Sequence, residues 1–390
     1  MESTNWDHWG HLAGRYQPQR SRKMLALDGG GIRGLMTARV LVRLEELLAE
    51  GRGGDSFRLC QYFDYIGGTS TGAIMAAALA RGMSAHELLD FYQDFGQQAF
   101  TKRNLFVRWK SLYEDGELAR KLKQVFGKHT TLEPEHLQCL LLVVTRNATT
   151  DSAWPISSNP AALFNDPAAS NCNLKMPLWQ LVRASTAAPV YFPPEVIRVD
   201  PRHPEQDFVF VDGGTTPYNN PAFLMYRMAS SPAYHLGWAT GEKDLLIVSL
   251  GTGYAPVLGT AADDPEQNLA AAAANTLAAT MNQAQVDQDV NCRTVGRCSH
   301  GPWLDLEIQD LVPRDAAHQP IPLERDLGRQ FLYLRYDAQL TREGLDQLGL
   351  TDVDPKKVSK LDSTDGMADL LRIGEKVAGQ IHKAHFGAFI

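Results

Sequence analysis

The 390-residue sequence predicts an α/β fold in which a mainly parallel sheet is covered by helices. Three observations carry that expectation. Short apolar runs alternate with helix-periodic segments through the first two-thirds of the chain, the rhythm of strand–helix–strand units. Several of those runs end in glycine-rich turns, among them Asp28-Gly-Gly-Gly-Ile-Arg-Gly34 and Gly67-Gly-Thr-Ser-Thr-Gly72. Hydrophobic residues make up 44% and charged residues 21%, close to globular averages, which excludes disorder as the main character.

The elements follow in order. Lys23–Leu27 reads as a short buried strand leading into the first glycine-rich turn. A helix then runs from about Leu35 to Ala49, with Leu35, Val40, Leu41, Leu44, Leu47 and Leu48 on one face. A second strand over Tyr62–Ile66 leads to the second turn and a helix over Ala73–Ala80. Ser84-Ala-His-Glu87 is a capping box that opens another helix. Leu137–Thr145, Phe208–Val211 and Leu245–Leu250 read as strands, the last followed by Gly251-Thr-Gly253. The final third is less regular. Asp264-Pro265 has the cap-then-proline signature of a helix start, and the Ala-rich stretch after it continues to about Gln285. Phe331–Tyr336 is expected to be a strand and Asp365–Ala384 a closing helix. No repeat or low-complexity linker divides the chain, so an N-terminal extension (1–22) is expected to precede one large domain (23–390). Residues 255–390 form its less regular part, read as packing, a lid or a regulatory region.

A net charge of -7 removes the global basic footprint of a nucleic-acid polymer binder, and attraction to anionic lipid would need a local patch. The longest apolar run, near Leu140–Val144, is far too short to span a bilayer. The N-terminus lacks the basic and apolar regions of a signal peptide. Five cysteines, from Cys60 to Cys298, form no dense framework and fit a reducing cytosol. Cys292, Cys298 and His300 match no common zinc spacing, and no metal site is expected.

Three segments carry chemistry. Gly68-Thr69-Ser70-Thr71-Gly72 is a G-x-S-x-G between a strand and a helix, where a sharp turn lifts the serine hydroxyl into the open. Alone, it reads equally as a nucleophile or as a serine capping the helix. Gly29-Gly30-Gly31-Ile32-Arg33-Gly34 fits the dinucleotide fingerprint through Gly29, Gly31 and Gly34, with Glu50 or Asp55 near the expected acidic position. The same geometry also makes an oxyanion hole, because glycine N–H groups at a helix N-terminus bind developing negative charge. Phe208-Val-Phe-Val-Asp212-Gly213-Gly214 places an aspartate at a strand end before two glycines. It reads either as an ordinary turn or as a general base for Ser70.

Together, and in this order, the three segments resemble the patatin-like phospholipase family. A fourth match is Ala184-Ser-Thr-Ala-Ala-Pro189-Val-Tyr-Phe192-Pro193, similar to the family's block between serine and aspartate; the set spans about residues 23–253. The resemblance implies a three-layer α/β/α fold and a serine acyl hydrolase of membrane phospholipids, with Ser70 as nucleophile and Asp212 as base. It further implies an oxyanion hole around Gly30, Gly31 and Ile32 with Arg33 adding charge, an acyl-enzyme intermediate, and no cofactor. A histidine triad is the alternative among hydrolases, because His235 and His300 follow Asp212 in the Ser–Asp–His order. A dinucleotide-binding oxidoreductase and a non-catalytic lipid-binding module are the rivals from other classes.

Lys102-Arg-Asn-Leu105-Phe106-Val-Arg108-Trp109-Lys110 mixes four cations with two aromatics, suited either to an anionic membrane surface or to an ordinary helix connection. The expected place of action is the cytoplasm, peripherally on the inner face of the membrane. Overall similarity to compact bacterial patatin-like enzymes implies, as one further expectation, an antiphage effector switched on by a cyclic dinucleotide. An oligomer is compatible with the sequence.

Overall fold

A computed structural model of the chain describes residues 5–99, 115–189, 191–200, 203, 207–254, 256, 269–362 and 364–390. The described residues form a nine-stranded sheet with helices on both faces, a three-layer α/β/α arrangement. Its first strand, β1 (Arg22–Leu27), shows why. Met24 and Ala26 enter one core cluster while Leu25 and Leu27 enter the other, so the strand is apolar on both sides. That is the pattern of a parallel sheet covered twice.

β1 pairs in parallel with β2 (Tyr65–Thr69) and with β7 (Leu245–Leu250). β7 continues in parallel to β9 (Leu332–Tyr336), and β9 to β8 (Arg297–His300). On the other side β2 pairs in parallel with β3 (Leu140–Asn147). β3 then takes two antiparallel partners, β4 (Ser152–Ser157) and β6 (Asp207–Asp212), and β6 pairs with β5 (Glu195–Arg198). One face is covered by the helices Gly34–Ala49, Thr71–Ala80 and Met367–Ala378, the last through Leu370, Ile373 and Val377. The other face is covered by Ala222–Ser230 and by Leu269–Val295, together with Trp9, Leu12 and Tyr16 near the N-terminus. The N-terminal residues are tied down further, since Arg15 donates to the carbonyls of Cys60 and Phe63 and pairs with Asp64.

Several expected boundaries move. Leu59–Tyr62 is a short helical turn, and β2 starts at Tyr65 and runs on to Thr69, held by the register Met24↔Tyr65 to Leu27↔Gly68. Ser84 and Glu87 form the expected capping box, each side chain accepting from the other's N–H. The start signal Asp264-Pro265 lies outside the described residues, but the helix continues past Gln285 to Val295. Its polar last turns are sustained by the buried pair Asp289–Arg293, four residues apart at 2.7 Å. The closing helix is shorter than expected, ending at Ala378 before Gly379, and Lys383–Phe389 forms separate 3₁₀ turns. The segment Lys102–Lys110 lies outside the described residues. Among the described residues, no helix is long and apolar enough to cross a membrane.

Candidate active site

The site arises where two strands end against a third. β2 pairs along Leu140–Val144 of β3, and β6 pairs along Thr145–Asn147. β4 opposes both of them across β3, so β2 and β6 share one edge and approach each other end to end. β2 stops at the rung of Val144, and β6, running the other way, stops at the rung of Thr145. The residues at these two ends are Ser70 and Asp212. Ser70 Oγ donates to Asp212 Oδ2 at 2.6 Å. Both side chains are buried, at 6% and 2% exposure.

Ser70 sits in a backbone conformation rare for a residue with a side chain (φ 55°, ψ −122°), between β2 and the helix Thr71–Ala80. Its hydroxyl makes no cap bond to the helix, which leaves it for the aspartate. Its N–H donates to Ser185 Oγ at 2.9 Å, and that hydroxyl donates to the Val144 carbonyl at 2.6 Å. Gly68 and Thr69 end β2, with the Thr69 hydroxyl donating to the Tyr218 carbonyl. Thr71 and Gly72 open the helix. Gly72 is needed for space: a Cβ there would lie 2.2 Å from the Leu27 carbonyl oxygen.

Asp212 fulfils both sequence readings, one with each oxygen. Oδ1 accepts from the Gly214 N–H at 2.7 Å, the turn contact, while Oδ2 holds Ser70. Burial pushes its carboxyl up to about 6, with the Ser70 and Gly214 hydrogen bonds and the nearby Arg183 pulling the other way. Gly213 packs against β3, where a Cβ would lie 2.2 Å from the Val144 carbonyl oxygen.

The glycine-rich turn faces the pair from β1. A Cβ on Gly29 would come 3.2 Å from that of Ser70, so the turn backs directly onto the serine. Glu50 and Asp55, the candidate ribose acids of a dinucleotide site, are surface residues, and Glu50 pairs with Lys383 at 2.5 Å. Gly31 has φ 59° and a Leu361 carbonyl where a Cβ would sit, so glycine is required on two counts. Among the described residues the N–H groups of Gly30 and Gly31 have no acceptor. The Ile32 amide differs from the sequence expectation of a third oxyanion donor, because it donates to the Leu361 carbonyl at 2.9 Å. Arg33 is buried rather than an exposed helix arginine. Burial lowers it to about 10, against the pull of Asp337, Asp28 and Tyr191, and it keeps its charge at neutral pH. Gly34 starts the next helix, crossing Thr71 closely.

Behind the turn lies a polar clamp that the sequence did not reveal. Asp28 accepts from both terminal nitrogens of Arg335, at 3.0 and 2.6 Å, and from Gln285 at 3.1 Å. Arg335 also binds Asp337 and Ser249. Thr252 donates to the Gly29 carbonyl at 2.8 Å, and Asn219 and Gln285 reach the same oxygen at 3.4 and 3.3 Å. Burial pushes the Asp28 carboxyl upward against the attraction of Arg335. Arg335 itself lies above its ordinary value, since Asp28 and Asp337 more than offset its burial.

Ser70 and Asp212 open into a cavity lined mainly by apolar groups, including Ile74, Leu118, Phe192 and Met281. Gly31, Thr186 and Tyr191 also line it, and no described histidine does. His235 lies exposed in a left-handed turn, and His300 stacks on Tyr336 and His385 in and beside β8. Cys292 and Cys298 are buried in the core on the far face of the sheet.

These features define a class: an α/β protein with a serine held against a buried aspartate, beside a glycine-rich turn and an apolar cavity. The Patatin-like phospholipase family model matches residues 25–226, more than half of the chain, and the chain belongs to that family. It is 31% identical over 244 residues to Patatin-17 of Solanum cardiophyllum, covering 59% of this chain and 60% of that protein. It is 32% identical over 215 residues to the cGAMP-activated phospholipase of Vibrio cholerae, covering 52% and 56%. The chain thus spans about three fifths of the length of the curated relatives it matches. The crystal structure of VipD from Legionella pneumophila covers 91% of this chain at 14% identity, with a TM-score of 0.33 and 67% of that chain covered, a likeness too slight to argue from.

Proposed function

We propose that the protein is a serine acyl hydrolase that cleaves fatty-acyl esters of membrane phospholipids through Ser70 and Asp212. The observation that carries this reading is the 2.6 Å hydrogen bond between the two side chains at one end of an apolar cavity. The Ser70 oxygen attacks the ester carbonyl carbon while its proton passes to Asp212 Oδ2. The oxyanion formed is met by the N–H groups of Gly30 and Gly31, at the N-terminal end of the turn that carries Arg33. Collapse expels the lysophospholipid, which takes the proton from Asp212 and leaves the fatty acyl group on Ser70. Water then attacks the acyl-enzyme, Asp212 again accepting a proton, and that proton returns to Ser70 Oγ as the fatty acid departs. A carboxyl held near 6 suits both directions of transfer, being ionised at neutral pH yet basic enough to take a proton.

Activation by a cyclic dinucleotide belongs to the same proposal, supported by similarity to a relative named for activation by cGAMP. Peripheral action on the inner face of the membrane follows from the lipid substrate and from five free, buried cysteines, which suit a reducing compartment. The test is fatty-acid release from phospholipid vesicles by wild type and S70A, with and without a cyclic-dinucleotide panel. Release by wild type that vanishes in S70A is expected. Equal release by both variants would remove Ser70 from the chemistry.

A further inference from the structure

The helix Leu178–Ser185 ends beside the serine–aspartate pair, and the chain there holds the backbone of both partners. Ser185 Oγ accepts from the Ser70 N–H at 2.9 Å and donates to the Val144 carbonyl at 2.6 Å. Two residues on, the Ala187 carbonyl accepts from the Asp212 N–H at 3.0 Å. Thr186, between them, lines the apolar cavity, and Arg183 on the same helix acts on the Asp212 carboxyl through its charge. Ser185 is fully buried.

The place of the Ser185 hydroxyl is unusual. β2 pairs with β3 as far as the rung Thr69↔Val144. A parallel ladder carried one bond further would join the Ser70 N–H to the Val144 carbonyl directly. Instead the hydroxyl is inserted between those two groups, and only a group that both accepts and donates can fill that position. Ser70 is thereby held off the sheet but still tied to it, at the φ 55°, ψ −122° step where the chain turns into the next helix. An alanine in place of Ser185 would take away the partner of a buried N–H and of a carbonyl at once.

We infer that Ser185 is a positioning residue for acyl transfer: by bridging the Ser70 amide to β3, its hydroxyl fixes the backbone that aims Ser70 Oγ at Asp212 Oδ2. Ala187 fixes the Asp212 amide from the same segment, so one short run of chain sets both ends of the 2.6 Å contact. The bridge also engages the Ser70 N–H, so the developing oxyanion is left to the Gly30 and Gly31 amides. The inference rests on the proposed reading of Ser70 as nucleophile and Asp212 as base.

The test is fatty-acid release from phospholipid vesicles by wild type, S185A and S185C as a function of pH, under the conditions in which wild type is most active. Melting temperature is the folding control. A thiol fills the space of the hydroxyl but hydrogen-bonds weakly, so S185C is expected to fold and to decide the matter where S185A does not. In S185A kcat should fall by about 10²-fold with KM little changed, and S185C should lie between. The acid limb of the profile should also move to higher pH. The Ser70 hydrogen bond helps to hold the Asp212 carboxyl down against burial, and a misaimed Ser70 withdraws that help while Arg183 and the Gly214 N–H remain. A kcat within about threefold of wild type in both variants overturns the inference, as does a fall in kcat with the acid limb unmoved, which marks general loosening. Release that is indistinguishable between wild type and S70A would instead remove the nucleophile reading, and this inference with it.

Discussion

Asp28 and Asp212 invite comparison. Each is a buried aspartate at the end of a strand, followed by glycines, on opposite sides of Ser70. They differ in what holds them. Asp212 is bound by a hydroxyl and one backbone N–H, with Arg183 near but not gripping it. Asp28 is clamped by two guanidinium nitrogens and an amide. A carboxylate facing a neutral hydroxyl can exchange a proton with it, whereas one forked by an arginine is held in place and anchors backbone. Position along the chain does not separate the two roles; the chemistry of the partner does.

The comparison can be broken in three ways. The largest effect is expected from D212N, which keeps the shape but removes the base. Fatty-acid release should fall by about 10² to 10⁴ with little change in melting temperature, and retained turnover would transfer the role elsewhere. R335M acts on the other aspartate. Leaving Asp28 buried without its guanidinium partner should cost about 3–5 kcal/mol of stability, read from the denaturant midpoint. An unchanged midpoint would show that the Arg335 contact contributes nothing and that the turn is held by Thr252, Asn219 and Gln285. The smallest effect is in pH. The working form of Asp212 is ionised, so activity should be flat above its pKa and decline as pH drops through about 6, by roughly tenfold per unit. A profile level down to pH 5 would contradict a proton-accepting Asp212.

The same contrast explains what could be read in the sequence. The Ser70–Asp212 pair was legible because each residue announces itself by the glycine-flanked turn it occupies at a strand end. The fold class was legible through β1 and β7, whose short apolar runs end in glycine-rich turns. The clamp was not. Arg335 lies 307 residues from Asp28, inside a run that reads as an ordinary strand, and Gln285 lies in an alanine-rich helix with nothing to mark it. Such partners become visible only when β9 is laid beside β7. The boundary of β2 was misplaced because Tyr62 and Phe63 are as apolar as a strand, and only register against β1 shows that pairing starts at Tyr65. The third oxyanion donor failed in the same manner, since Leu361 arrives from the far end of the chain to occupy the Ile32 amide.

The end-to-end meeting of β2 and β6 has a consequence for precision. Both strands are graduated against β3, so the gap between serine and aspartate is set by two neighbouring rungs of one ladder, Val144 and Thr145. Two short side chains can then find each other without a third one between them. The tolerance of the pair is that of a peptide hydrogen-bond lattice and not that of a loop. A histidine, with its longer reach, would be the natural remedy for a scaffold lacking such a ruler; this one measures the distance in its own backbone.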